Sequence, residues 1–377
     1  MQNAIVGARL FDGESFHQGA ALVLEGDRIA ALIREADLPQ VMPRQTFRGT
    51  IAPGFVDLQV NGGGGRMVDG STDLAFLTDL CALHRSLGTA GILPTLITDT
   101  PAATAAVIAA GIAAARAQVP GFLGLHLEGP HLDPRRKGAH DPALIRPMTG
   151  EDLNRLCDAA RALPALLVTL APESATPDQI ATLAGAGVVV SLGHSDCSYD
   201  TALAAHRAGA RVATHLFNAM SQIGNREPGL AGAVLTTDLS AGVIADGIHV
   251  HPATLRLALA AKPQGLFLVT DCMAFAGSPA TELLLNGRRV LRRDGRLTLE
   301  DGTLAGADLT MNRAIDVLIH QAHCLPDRAL AMATSIPADI IKSRLGRLQP
   351  GTPADLVQFA DDWSLGAVCQ AGHWSPA

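Results

Sequence analysis

Positive charge is scarce in this 377-residue chain: 29 Lys and Arg stand against 36 Asp and Glu, a formal net charge of −7. That balance argues against nucleic acid or an anionic membrane as the main partner. Gly and Pro together number only 60, and 48% of the residues are hydrophobic, so a disordered or fibrous chain is excluded. The six cysteines, at 81, 157, 197, 272, 324 and 369, form no C-x-x-C pair. A disulfide framework or structural zinc module is thereby disfavoured, and a reducing compartment is expected. The opening MQNAIVGARLFDGESF lacks the basic-then-apolar pattern of a signal peptide. The most apolar stretch, 102–115, is alanine-rich and too short to span a bilayer. The chain reads as soluble and cytoplasmic, and any anion it binds must be met by a local site.

What is present is a rhythm. Residues 1–50 contain short β-like pieces, among them ALVLEGDRIAALI with a Glu-Gly-Asp turn that predicts a hairpin. From Ile51 onward, apolar runs alternate with helix-like segments. The runs are IAPGFVDLQV, GILPTLIT, FLGLHLE, ALLVTLAPE, GVVVSLGH, RVATHLF, AGVIAD and GLFLVTD; the helical segments include 73–87, 102–117, 151–163, 201–208 and 252–261. Continuous apolar strands flanked by helices are what a parallel sheet covered on both faces requires. Eight of them over about 220 residues predict a (β/α)₈ barrel over an open doubly wound sheet. LLLNGRRVLRRDGRLTLEDGTL then reads as a small β insertion with Asn-Gly and Asp-Gly turns. After helical sequence to about 345 the end turns β-like again. The expected division is a small β-sandwich from 1–50 plus 346–377 beside a catalytic barrel at 51–345.

The polar residues fall at the strand ends. Glu128 ends FLGLHLE, His194 ends GVVVSLGH, His215 follows RVAT, His249 follows VIADG and Asp271 ends GLFLVTD. In a β/α barrel these ends converge on one mouth. One such residue alone is ordinarily a surface histidine or a helix cap; five in equivalent positions point to a site. A Glu with two His is a zinc set that leaves a position for water, and a neighbouring carboxylate such as Asp271 suits proton transfer. Spacing alone thus favours a metal-dependent hydrolase. His126, two before Glu128, is expected in a core or supporting role, and Cys272 in packing. The NGGGG at 61–65 lacks the context of a phosphate loop and reads as a flexible loop at the mouth. Asn218, Ala219 and Arg226 suit a phosphate, with pairing of Arg226 to an acid such as Glu227 as the alternative.

The strings APGFVDLQVNGGGG, PTLIT, GLHLEGPHL, KGAH, VTLAPE, SLGHS, ATHLFNAM, REPGLAGA, IADGIHV, LVTDCMAFAG and GTLAGADLTM occur in order. With them the chain resembles the N-acetylglucosamine-6-phosphate deacetylases of the amidohydrolase superfamily. The resemblance implies a metal-bearing barrel with a small β-sandwich, a homodimer, and hydrolysis of a linear amide in N-acetyl-D-glucosamine 6-phosphate. It implies Glu128, His194 and His215 as metal ligands and Asp271 as the base that becomes the acid. It assigns Asn218, Ala219 and Arg226 to the substrate, with Arg226 at the phosphate and acting across the dimer. His249, Ala139, His140 and the run Leu304, Ala305, Gly306 complete the sugar pocket. Many amidohydrolases end their first strand in His-x-His, where this chain has Gln59 and Asn61. Amides are poor zinc ligands, so one ion is expected, Zn²⁺ first and Fe²⁺, Mn²⁺ or Co²⁺ also compatible. Rival readings are deacetylation of the N-acetylgalactosamine epimer and a non-catalytic sugar-phosphate binder. A cyclic-amide hydrolase is disfavoured, since none of Lys137, Lys262 and Lys342 stands at a strand end to be carbamylated.

Overall fold

The computed structural model describes residues 2–285 and 287–377. Eight parallel strands form the central sheet in chain order: Phe55–Val60 (β1), Thr89–Ile97 (β2), Leu125–Glu128 (β3), Leu166–Leu170 (β4), Val189–Leu192 (β5), Val212–Ala213 (β6), Ser240–Val243 (β7) and Leu266–Leu268 (β8). A single bridge, Val60 to Cys272, and backbone bonds from Asp271 N–H to Gln59 O (3.0 Å) and Asn61 N–H to Cys272 O (2.9 Å) bring β1 against β8. The barrel predicted from the rhythm is thus the fold. Inside it, inward positions carry hydroxyls that satisfy one another: His126 Nε2 to Thr169 Oγ1 at 2.7 Å, Thr169 to Thr214 and Ser191 to Thr214 both at 2.6 Å. His126 is therefore committed to this interior ladder.

The outer helices begin where side chains can replace missing backbone partners. Asp73 accepts the N–H of Phe76 at the start of Leu74–Ser86, and Thr100 with Pro101 opens Pro101–Arg116. Reciprocal capping boxes, Thr149 with Asp152 and Thr176 with Gln179, open Gly150–Ala162 and Pro177–Gly185. Among the described residues no helix is long and apolar enough to cross a membrane.

The chain ends build two further sheets. Gln2–Val6, Ala20–Glu25, Arg28–Arg34 and Arg44–Thr46 form one, with the expected hairpin pairing Glu25 to Arg28. The second has six strands and joins Arg9–Phe11 and Thr50–Pro53 to Leu356–Phe359 and Leu365–Gln370. Ile5, Leu10, Leu22, Leu24, Ile51 and Leu356 pack into one core of this β-sandwich. The run IAPGFVDLQV, read as one strand, is therefore two. Thr50–Pro53 belongs to the sandwich sheet, and the chain crosses to the barrel at Gly54. There a Cβ would come within 2.7 Å of the Ala90 Cβ, and the N–H is bound to Asp355 O at 2.8 Å.

After β8 comes the inserted antiparallel sheet Glu282–Leu285, Arg288–Arg293, Arg296–Leu299 and Leu304–Ala307, with its own core around Phe275, Val290 and Leu297. Asp294 and Gly295 both have positive φ, as the predicted tight turn demands. Asn286 of the preceding Asn-Gly turn lies outside the described residues. The glycine-rich 61–65 segment is tied down: Gly62–Gly63 pairs with Arg66–Met67, and the Gly64 and Gly65 N–H groups donate to Ala276 O and Ala274 O at 2.8 Å.

Candidate active site

At the C-terminal ends of the strands lies a cavity of about 250 Å³. Glu128, His194, His215, His249 and Asp271 all line it, as do Ala139, His140, Asn218, Ala219 and the Leu304–Gly306 run. The backbone leaves ordinary conformations here. His194 (φ 47°), His215 (φ 33°), Ala219 (φ 46°) and Asp271 (φ 49°) all adopt the left-handed region that non-glycine residues rarely occupy. His194, His215 and Asp271 each follow a strand end by two or three residues, so the chain turns there at the mouth and their side chains line the cavity; Ala219 sits in the loop after His215.

Glu128, His194 and His215 are buried, and their ligand atoms lie within 4.8 Å of one another. Glu128 Oε1 is 3.2 Å from His194 Nε2 and 3.0 Å from His215 Nε2, and the two Nε2 atoms are 3.1 Å apart. His194 Nδ1–H donates to Arg136 O at 2.8 Å, so in the neutral ring the Nε2 lone pair faces the cluster. Burial works against the Glu128 charge, yet the two imidazoles hold its carboxyl well below the ordinary range. Lone pairs and a carboxylate converging in a buried space fit a divalent cation, and the backbone carbonyl behind His194 is the supporting partner such a ligand needs.

Asp271 stands beside this cluster. Its Oδ1 accepts from Asn61 Nδ2 at 2.7 Å and Gln59 Nε2 at 3.0 Å, and Gln59 Nε2 also reaches Glu128 Oε1 at 3.2 Å. The two amides thus act as donors that orient carboxylates. Burial, reinforced by the nearby Glu128 charge, pushes the Asp271 carboxyl up to about 6, which suits a group that must take and return a proton near neutrality.

His140 and His249 complete the polar wall. The Thr98 N–H donates to His140 Nδ1 at 3.2 Å, which leaves the proton on Nε2. Burial, with His194 nearby, pushes this imidazole down to about 3, so it is a neutral donor. His249 Nδ1 binds Asp246 Oδ2 at 2.6 Å. Sequence reasoning missed Thr98 and Asp246; Asp246 also stands just past a strand end, in IADGIHV, and that position was the available signal. Arg288, on the inserted sheet, donates to Ala139 O at 2.5 Å and holds the loop that carries His140.

One predicted residue is elsewhere. Arg226 is exposed on the 221–227 segment and does not line the cavity. Glu227, its alternative partner in the sequence reading, instead accepts the N–H groups of Tyr199 (2.7 Å) and Gly229 (2.9 Å). His131 binds Arg146 O at 3.1 Å outside the cavity, and Cys272 is a buried thiol whose ionisation burial pushes up, as packing predicts.

Residues 50–368 match the amidohydrolase family. The chain belongs to that family. Amidohydrolase relatives include an N-acetylgalactosamine-6-phosphate deacetylase of Shewanella sp. (strain ANA-3), 41% identical over 86% of this chain and 83% of that one. An N-acetylglucosamine-6-phosphate deacetylase of Haemophilus influenzae is 31% identical over 99% of both chains. Among solved structures, the N-acetylglucosamine-6-phosphate deacetylase of Pasteurella multocida superposes with a TM-score of 0.94 at 34% identity, covering 100% of both chains. The resemblance seen in the motifs is thereby borne out along the whole amidohydrolase chain.

Proposed function

We propose that this protein hydrolyses N-acetyl-D-glucosamine 6-phosphate to acetate and D-glucosamine 6-phosphate, a step of amino-sugar catabolism. The observation that carries the reading is one cavity in which a Glu–His–His cluster and a separate buried carboxylate, Asp271, stand side by side. Glu128, His194 and His215 would hold one divalent ion, Zn²⁺ in the first instance, with Fe²⁺, Mn²⁺ or Co²⁺ also matching an N/O donor set. Such an ion supplies Lewis acidity toward water and toward the acetyl carbonyl.

The chain's own groups do the rest. Asp271, oriented by Asn61 and Gln59, takes the proton of the attacking water and then delivers it to the departing amine. The Nε2–H of His140 is a donor for the oxygen on which negative charge develops, and His249 is a second polar group on that wall. Asn218, Ala219 and the Leu304–Gly306 run shape the sugar site. The phosphate is met by Arg226 of a second copy, in a homodimer where the exposed 221–227 segment reaches the partner's cavity. The setting is the cytoplasm.

The Shewanella relative supports a second reading, the galactosamine epimer. The test is metal analysis of the purified protein with an acetate-release assay over both N-acetylhexosamine 6-phosphates. A kcat/KM ratio above ten for the glucosamine compound supports the first reading, and the inverse ratio the second. A metal-loaded protein that releases acetate from neither is a binder, not a hydrolase.

A further inference from the structure

We propose that Asp57, deep in the barrel, is a positioning residue that sets the catalytic Asp271 in place. The inference rests on the reading of Asp271 as proton carrier. Between β1 and β8 the hydrogen-bond ladder is reduced to the single Val60–Cys272 bridge, so the seam next to the site needs another fastening. Asp57 supplies it. It is fully buried on β1, and its Oδ2 accepts from Thr270 Oγ1 at 2.5 Å. Both its oxygens lie 3.3 Å from the Thr270 N, and Oδ1 also accepts the Gln59 N–H at 3.2 Å.

These contacts bracket the reacting carboxylate. Thr270 immediately precedes Asp271, and Gln59 donates its side-chain amide to Asp271. The Asp271 N–H closes on Gln59 O, and the Asp271 carbonyl accepts from Ala307 N at 2.9 Å, next to the sugar-pocket run. One carboxylate therefore grips the backbone on both sides of the Asp271–Gln59 contact, and it does so where Asp271 holds a left-handed φ of 49°. Every donor to Asp57 is a hydroxyl or a peptide N–H, and burial pushes its carboxyl up to about 7, so a charge there is not favoured for stability alone. Its leverage is geometric: a shift of about 1 Å in a reacting group is enough to lower turnover by about a hundredfold.

The experiment compares Asp57→Asn, Thr270→Val, Thr270→Ser and the Asp57→Asn/Thr270→Val double variant as full-length, metal-loaded proteins, with metal content and Tm measured for each. The expected result is a loss of kcat of tenfold or more in both Asp57→Asn and Thr270→Val, KM within twofold, and recovery in Thr270→Ser, which keeps the hydroxyl. The double variant should be no slower than the slower single, because both changes open one clamp. A kcat per metal-loaded chain within twofold of wild type in Asp57→Asn and Thr270→Val overturns the proposal, as does a loss that follows Tm or metal content alone. Should Asp57→Asn fail to fold, the near-isosteric Thr270→Val and its Ser counterpart decide. An inactive wild type refutes the reading of function, whereas an active wild type with unaffected variants refutes only the role of Asp57.

Discussion

Replacing Asp271 by Asn would remove the proposed proton carrier while preserving the shape of the site. The Asn oxygen still accepts from Asn61 and Gln59, which reach Asp271 Oδ1 at 2.7 and 3.0 Å. The variant should therefore fold and bind metal. In metal-free protein its Tm should not fall, because burial and the Glu128 charge both oppose ionisation of Asp271. General acid–base catalysis is worth 10²–10⁴-fold, roughly 3–5 kcal/mol of barrier, and the variant should lose a factor of that order in kcat. The pH profile gives a second reading of the same group. A base must be deprotonated, and burial first, then Glu128, raise this carboxyl to about 6. Wild-type kcat/KM should thus plateau above pH 7, halve near 6 and fall to about a tenth of the plateau at pH 5. Acetate release measured from pH 4.5 to 8.5, with metal content determined at each end, tests this. A metal-loaded Asp271→Asn protein with near wild-type turnover, or one that keeps the same acid limb, would show that another group carries the proton.

Other perturbations probe the rest of the molecule. Dialysis against a chelator should abolish acetate release and lower Tm, both restored by Zn²⁺; an ion at a hundred times its Kd adds about 2.7 kcal/mol to stability, and an unchanged Tm would count against the Glu128–His194–His215 site. Arg226→Ala should raise KM for the phosphorylated substrate by roughly 10–100-fold, the worth of a charge-assisted hydrogen bond, with kcat spared. An unaltered KM, or a monomer in sedimentation, would count against phosphate recognition across a dimer. Thr149→Ala removes half of a capping box that takes no part in lining the cavity and should cost about 1 kcal/mol in urea denaturation while leaving kcat/KM unchanged.

How much was legible beforehand follows from what each feature depends on. The barrel could be read because its strands are short apolar runs buried on both faces, and its helices carry local start markers such as Thr149 with Asp152 and Thr176 with Gln179. Glu128, His194, His215, His249 and Asp271 could be found because a strand end in a β/α barrel is a position in space as well as in sequence. The division of IAPGFVDLQV into two strands could not, since an apolar run carries no mark of which sheet it pairs with; contact of Gly54 with Ala90 and Asp355 decided it. Arg226 was legible as a cation near Asn218 in sequence, yet its loop carries it away from the cavity of its own chain.

By itself, then, the sequence determined the repeating architecture, the chemical kinds of group at the mouth and the family resemblance, because periodicity and residue type are local properties. Which nitrogen of His194 and of His140 faces the cavity was fixed by tertiary contacts alone. Arg136 O orients His194 and the Thr98 N–H orients His140, from 58 and 42 residues away. Likewise Asp57 meets Thr270 across 213 residues. Hydrogen-bond direction is set by what stands opposite a group in space, and no local pattern records that.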